Sequence, residues 1–291
     1  MRTKLSVFCD RVLEVGWLLA LIVTPLFFNV NSSRVFEPDK LSLLRSIALV
    51  MIVAWGIKVV DGSAWGQTTS VQKTTSRSET QAATHEEPPT SSLWQRINRI
   101  PLILPTILLV GAYILSTILS VAPRISLWGS YMRLQGTYTT FSYIVIFFLM
   151  LITIRHREQV DRLCTTVIIT SLPVSLYGIL QHYNLDPLPW TGEVTTRVAG
   201  NMGNAIFIAA YLIMAVPITL ARLTESFSTL LKEEEGTISH ALLAGCYTFV
   251  MSVQVICIFF TQSRGPWLGL LGGLYVFVLI ALISLRRSVS D

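Results

Sequence analysis

The sequence predicts an all-α, polytopic integral membrane protein with about eight transmembrane helices. Three observations lead there. Only 13% of its 291 residues are charged, against roughly 25% in a soluble domain. Apolar runs of about 20 residues, the length that crosses a bilayer core, recur along the chain. Lysine and arginine are also distributed unequally between alternate loops, as the positive-inside rule requires of a multi-span protein.

The first apolar run, 12–30, contains Glu14 and has no small-residue cleavage site, so it reads as a retained helix. The second, 41–60, completes a two-helix hairpin over 1–60. Segment 61–100 breaks the pattern. Its core, TTSVQKTTSRSETQAATHEEPPTSS, is almost without apolar residues. It cannot bury enough surface to offset ordering entropy, which predicts a disordered linker. Six further runs follow, at 101–121, 138–154, 163–181, 203–221, 241–260 and 266–285, and form a block over 101–291. Pro105, Pro173 and Pro217 fall inside them and are expected to kink those helices rather than end them. The four cysteines, Cys9, Cys164, Cys246 and Cys257, lie in or beside apolar runs without metal-ligand spacing.

With eight spans, fifteen of the 22 Lys and Arg residues fall on the side of the termini and even loops, and seven on the other. Both termini and the 61–100 linker are then cytoplasmic. The basic residues are dispersed among loops, so the net charge of +5 gives no nucleic-acid signal.

The predicted outer face nevertheless carries four arginines in the six-helix block: Arg124 and Arg133 in APRISLWGSYMRLQGT, Arg197 in TTRVAGNMGN, and Arg264 in TQSRGP. Arg124 reads as an interface anchor reaching to lipid headgroups. The other three each have a glycine within three residues: Gly136, Gly200 and Gly265. Arginine pairs with phosphate oxygens through a planar fork, and glycine lets backbone approach a ligand closely. Arg133, Arg197 and Arg264 are therefore candidate ligands for a polyanion, above all a pyrophosphate, with Ser263 and Gly265 beside Arg264. The alternative is lipid-headgroup anchoring for these as well. Asn201 and Asn204 open a helix whose N-terminus suits an anion; helix capping is their alternative role. His182, in LQHYNLDPLPW, is the one histidine on the predicted outer face and the candidate general base, with a structural interfacial histidine as the alternative. There is no tight carboxylate pair, P-loop, G-x-S-x-G or His/Cys metal spacing. Intramembrane charge is confined to Glu14 and Arg45, and no internal repeat is evident, which counts against a small-solute transporter.

Three motifs resemble, in order, segments of the O-antigen ligase/polymerase family. LWGSYMRLQGTYTTFSY is similar to its W-G-x-x-x-R-x-x-G segment, VAGNMGNAIFIAAYLIMAVPI to its G-x-x-G-N-P-N-x-x-A-x-Y-L segment, and TQSRGPWLGLLGGL to its T-x-S-R-G segment. Together they cover about half of the chain. The resemblance implies a GT-C-like, metal-independent, inverting glycosyltransferase of the bacterial inner membrane, without a cofactor. Its substrates would be undecaprenyl-pyrophosphate-linked oligosaccharide or polysaccharide, and Arg264, Arg133 and Arg197 would bind the pyrophosphate. Two departures stand out. Asn204-Ala205-Ile206 replaces N-P-N. Family members also continue beyond the S-R-G helix into a large periplasmic loop with a catalytic histidine and a further arginine, whereas the eighth span here lies six residues from Asp291. The resemblance thus implies the N-terminal portion of such an enzyme, a second chain supplying the rest, or a non-catalytic membrane subunit.

Overall fold

A computed structural model describes residues 3–32, 35–75, 102–188, 193–232 and 237–290. Among these residues every regular element is a helix, without strands. In chain order the helices are α1 (Lys4–Leu26), α2 (Pro38–Thr75), α3 (Ile103–Ile118), α4 (Pro123–Trp128), α5 (Thr137–Thr153), α6 (Arg157–His182), a 3-10 turn at Gly200–Met202, α7 (Ala205–Lys232), α8 (Thr237–Phe260) and α9 (Arg264–Ser290).

Each of the eight predicted segments coincides with one helix. Five stretches are long and apolar enough to cross a membrane: Pro38–Asp61, Arg157–His182, Ala205–Leu231, Ile238–Phe260 and Arg264–Ile283. Helices α3 and α5 are apolar but shorter, at 16 and 17 residues. Sixteen residues rise about 24 Å, less than the roughly 30 Å of a bilayer core. Helix α1 is long, but Asp10, Arg11 and Glu14 interrupt it. Helix α2 runs past its apolar stretch to Thr75, so the start of the predicted linker is helical. Propagating an existing helix avoids the cost of nucleation, which explains why polar residues continue it. The remainder of that linker, 76–100, lies outside the described residues.

The chain divides into two compact units. The first comprises Met1–Leu19 and Leu41–Arg155. In it, Cys9, Leu13 and Trp17 of α1 are buried, as are Leu44, Ala48 and Met51 of α2. Gly16 gives Met51 its room: a Cβ there would lie 2.6 Å from the Met51 Cγ. Lys58 pairs with Asp10, and α4 packs on α3 and α5.

The second unit comprises Ala20–Lys40 and His156–Asp291. Helix α6 begins earlier than hydropathy suggests, because His156 and Gln159 form a capping box. Val174 of α6, Ile208, Leu212 and Val216 of α7, and Cys257 and Ile258 of α8 make the apolar core. One polar knot crosses it. Gln254 Nε2 donates to Ser171 Oγ at 2.6 Å and to Thr219 Oγ1 at 3.0 Å. Both hydroxyls donate to carbonyls of their own helices, Ile168 and Ala215. They can therefore only accept from Gln254, and one side chain ties three helices together. Interhelical hydrogen bonds of this kind average about 0.6 kcal/mol in membranes. Helix α9 packs mainly on α7.

Close helix packing centres on Gly178. A Cβ there would stand 2.6 Å from Cys257 Sγ and 3.2 Å from Val198 Cγ1. Gly178→Val is expected to destabilise the protein by about 1–3 kcal/mol, the usual cost of overpacking. Gly245→Ala, whose Cβ would meet nothing within 4 Å, should leave thermal unfolding in detergent unchanged or slightly raised.

Candidate functional site

The second unit gathers the ends of four helices. Helix α6 stops because Asn184 adopts a left-handed conformation (φ 56°). The Leu185 N–H bonds to the Leu180 carbonyl at 3.0 Å and that of Asn184 to Gln181 at 3.1 Å. This is the Schellman arrangement, with asparagine in place of glycine. It leaves His182 as the final residue of α6, half-buried at the bundle end.

His182 is fixed on two sides. Its ring stacks on Phe260 of α8, with centroids 3.7 Å apart and planes 14° from parallel. Its Nδ1 lies 2.6 Å from the Thr195 carbonyl oxygen. A carbonyl only accepts, so Nδ1 carries a proton, and in the neutral ring the lone pair is on Nε2. Nε2 has no partner among the described residues.

The connection into α7 is non-helical and is held by side chains. Gln181 Oε1 accepts the N–H groups of Ala199 and Gly200 at 3.0 and 2.8 Å. Asn201 donates to the Pro25 and Leu26 carbonyls at 2.5 and 3.2 Å, covering the end of α1. The Val198 N–H reaches the Phe260 carbonyl at 3.2 Å. Asn204 Oδ1 accepts the Ile206 N–H at 2.9 Å and so caps α7. Upstream, Glu193 accepts from the Thr195 hydroxyl and from both the hydroxyl and N–H of Thr196. Those hydroxyls, Thr195 first, hold the Glu193 carboxyl below the usual glutamate range.

Arg197 extends from this connection onto the α8–α9 turn. Its Nε donates to the Thr261 carbonyl at 3.3 Å and its Nη2 to Ser263 Oγ at 3.4 Å. The turn itself is strained at Gln262, a non-glycine residue at φ 49°. Ser263 Oγ also donates to the Thr261 carbonyl at 3.3 Å, so it is engaged with the turn and not with the N–H groups of α9. The N–H groups of Arg264 and Gly265 have no partner among the described residues, and Pro266 has none to offer. The Arg264 side chain is exposed, and no hydrogen bond or ion pair to it occurs among the described residues. A Cβ on Gly265 would meet nothing within 4 Å, so packing does not demand glycine there.

Of the residues singled out from sequence, Arg197, Ser263 and Arg264 share one end of this unit with His182. Asn201 is buried (3% exposed) with its amide nitrogen engaged by α1, and Asn204 is a helix cap. Gly200 and Gly203 both take positive φ. Arg133 belongs to the first unit, exposed in the turn between α4 and α5, and Arg124 is exposed at the start of α4. Sequence reasoning passed over Gln181 and Phe260, which fix the connection and the imidazole. A lone glutamine at the end of an apolar run was the available signal. No group of three His, Cys, Asp or Glu that could hold a metal occurs among the described residues. No family model, no curated protein and no solved structure matches the chain.

Together these groups offer an imidazole lone pair, two guanidinium groups and a helix N-terminus. Such a site can accept a proton at Nε2 and hold an anion at the α8–α9 turn. The Glu193 turn gives a pH test of its geometry. A lowered carboxyl pKa contributes stability above the ordinary glutamate value of 4.5, and that contribution is lost as pH falls through the lowered value. The protection factor of the Thr196 amide is expected to hold near neutral pH and to drop below pH 4.5. Glu193→Gln should flatten that dependence in a hydrogen-exchange measurement.

Proposed function

We propose that the chain binds a polyprenyl-pyrophosphate-linked glycan at the outer face of the bacterial inner membrane and takes part in transferring that glycan. In this reading all eight apolar helices span and both termini are cytoplasmic. The observation that carries it is the hydrogen bond from Arg197 to Ser263, which brings a guanidinium to the residue just before Arg264 and the open N–H groups of α9. The motif resemblance points to the same anion, and the open space at Gly265 suits close approach by a phosphate.

The chemistry is a single displacement. The acceptor hydroxyl gives its proton to His182 Nε2 and its oxygen bonds to the anomeric carbon. The bond from that carbon to the pyrophosphate oxygen breaks, and its electron pair leaves with the oxygen. Arg197, Arg264 and the N–H groups of Arg264 and Gly265 stabilise the departing charge. Arg133, in the first unit, is assigned separately as a ligand for the same class of anion. Preorganised donors of this kind are a large catalytic contribution.

Two sets of variants test it in reconstituted protein. Arg264→Ala and Arg197→Ala are each expected to weaken carrier binding about tenfold or more, the loss of a charge-assisted hydrogen bond. His182→Gln should leave binding intact and lower glycan transfer by about 10²–10⁴-fold, the usual contribution of a general base. Unchanged binding in both arginine variants would remove this loop cluster from the mechanism. Unchanged transfer in His182→Gln would assign the base elsewhere.

A further inference from the structure

The first unit holds a buried arginine that the proposed chemistry does not use. Arg45 lies inside the apolar stretch of α2, 8% exposed. No acidic side chain is within ion-pair distance of it among the described residues. Its acceptors come instead from the segment around Arg133. Nη2 donates to the Trp128 carbonyl at 2.8 Å and to the Leu134 carbonyl at 2.6 Å. Nε and Nη2 reach Thr139 Oγ1 at 2.9 and 2.6 Å. The guanidinium carbon sits 4.9 Å from the centre of the Tyr138 ring, and Tyr138 packs edge-on to Trp128 at 5.3 Å.

These contacts close the base of a loop. Trp128 and Leu134 bracket it, and the backbone at its neck is in direct contact: a Cβ on Gly136 would stand 2.3 Å from the Gly129 nitrogen and 2.5 Å from the Leu127 carbonyl oxygen. Within the loop, Leu134 N–H bonds to the Ser130 carbonyl at 2.8 Å and Leu134 takes a positive φ of 51°. Tyr131, Met132 and Arg133 are exposed at its tip. A lysine could not replace Arg45, because one ammonium cannot satisfy two carbonyls and a hydroxyl in a plane while stacking on a ring.

We propose that Arg45 is a positioning residue for anion binding by Arg133: it locks the 128–136 loop in one conformation, so the Arg133 guanidinium is presented to a polyprenyl pyrophosphate already in place. The inference rests on the proposed role of Arg133 in holding that anion. Preorganisation raises affinity by removing the ordering cost from the binding step. Arg45 touches no ligand and acts only through the loop.

The test uses the full chain in nanodiscs, with undecaprenyl pyrophosphate as the probe. Arg133→Ala and Arg45→Met are each expected to weaken binding about tenfold. The double variant should bind no more weakly than Arg133→Ala alone, since both changes act through one guanidinium. Losses that multiply in the double variant, or wild-type affinity in Arg45→Met, would overturn the proposal. Thr139→Val, which removes one acceptor and leaves Arg45 in place, is expected to weaken binding in the same direction and serves if Arg45→Met does not fold. Trypsin gives a readout independent of the ligand. The fragment ending at Arg133 should appear at least tenfold faster in Arg45→Met than in the wild type; equal rates would overturn the lock. A wild type that binds no pyrophosphate overturns the functional reading and this inference together. A wild type that binds, beside an Arg45→Met that binds equally, overturns this inference alone.

Discussion

Non-helical backbone among apolar helices must find its hydrogen bonds inside the protein, because hydrocarbon offers none. In the second unit that demand falls on the connection between α6 and α7, and the Gln181 side chain answers it. Its oxygen accepts two successive N–H groups, from Ala199 and Gly200. Asn201 then attaches the same segment to the last carbonyls of α1. The position of Arg197 follows, since it lies two residues before Ala199 on the anchored segment. So does the orientation of His182, whose Nδ1 proton is held by the Thr195 carbonyl. Remove the Gln181 oxygen and two donors lose their partner at once, the buried one at Gly200 at a cost of about 1–3 kcal/mol and the half-buried one at Ala199 at less.

The two kinds of arginine in the chain are used differently. Arg45 is surrounded by carbonyls, a hydroxyl and an aromatic ring, which organise a loop around it. Arg264 is exposed beside open N–H groups. Arg197 is intermediate: two of its donors hold the α8–α9 turn and the remainder of its fork has no partner among the described residues. A guanidinium committed to protein carbonyls organises backbone; one left with free donors is available to an anion. That difference separates the structural arginine from the two at the candidate site.

Much of the helical layout was legible, because a run of about 20 apolar residues has few alternatives to a helix. Each of the eight segments read from hydropathy coincides with a helix. The helix ends were less legible. Helix α6 starts at Arg157 because of a capping box among polar residues, and α2 continues to Thr75 on polar residues; neither reflects hydropathy. The short helix α4 opens with Pro123, a start signal, yet it contains too few apolar residues to stand out. At the site, the T-x-S-R-G turn drew attention to Arg264 and Ser263 from the sequence. Their junction with Arg197 did not show, since it links residues 66 apart. Arg45 was visible as a lone charge in an apolar run, but its chief partner, Thr139, lies 94 residues away. Asn201 and Asn204 looked alike in sequence. Only the fold separates the one that reaches α1 from the one that caps α7.

The most direct measurement is photo-crosslinking of the membrane-embedded chain with a polyprenyl pyrophosphate that carries a photoreactive group beside its phosphates. Labelled peptides are expected to contain Arg197 or Arg264, and excess unlabelled polyprenyl pyrophosphate should compete the label away. Competable label confined to the other end of the bundle, near Asp161 and Arg222, would contradict a pyrophosphate site at the α8–α9 turn.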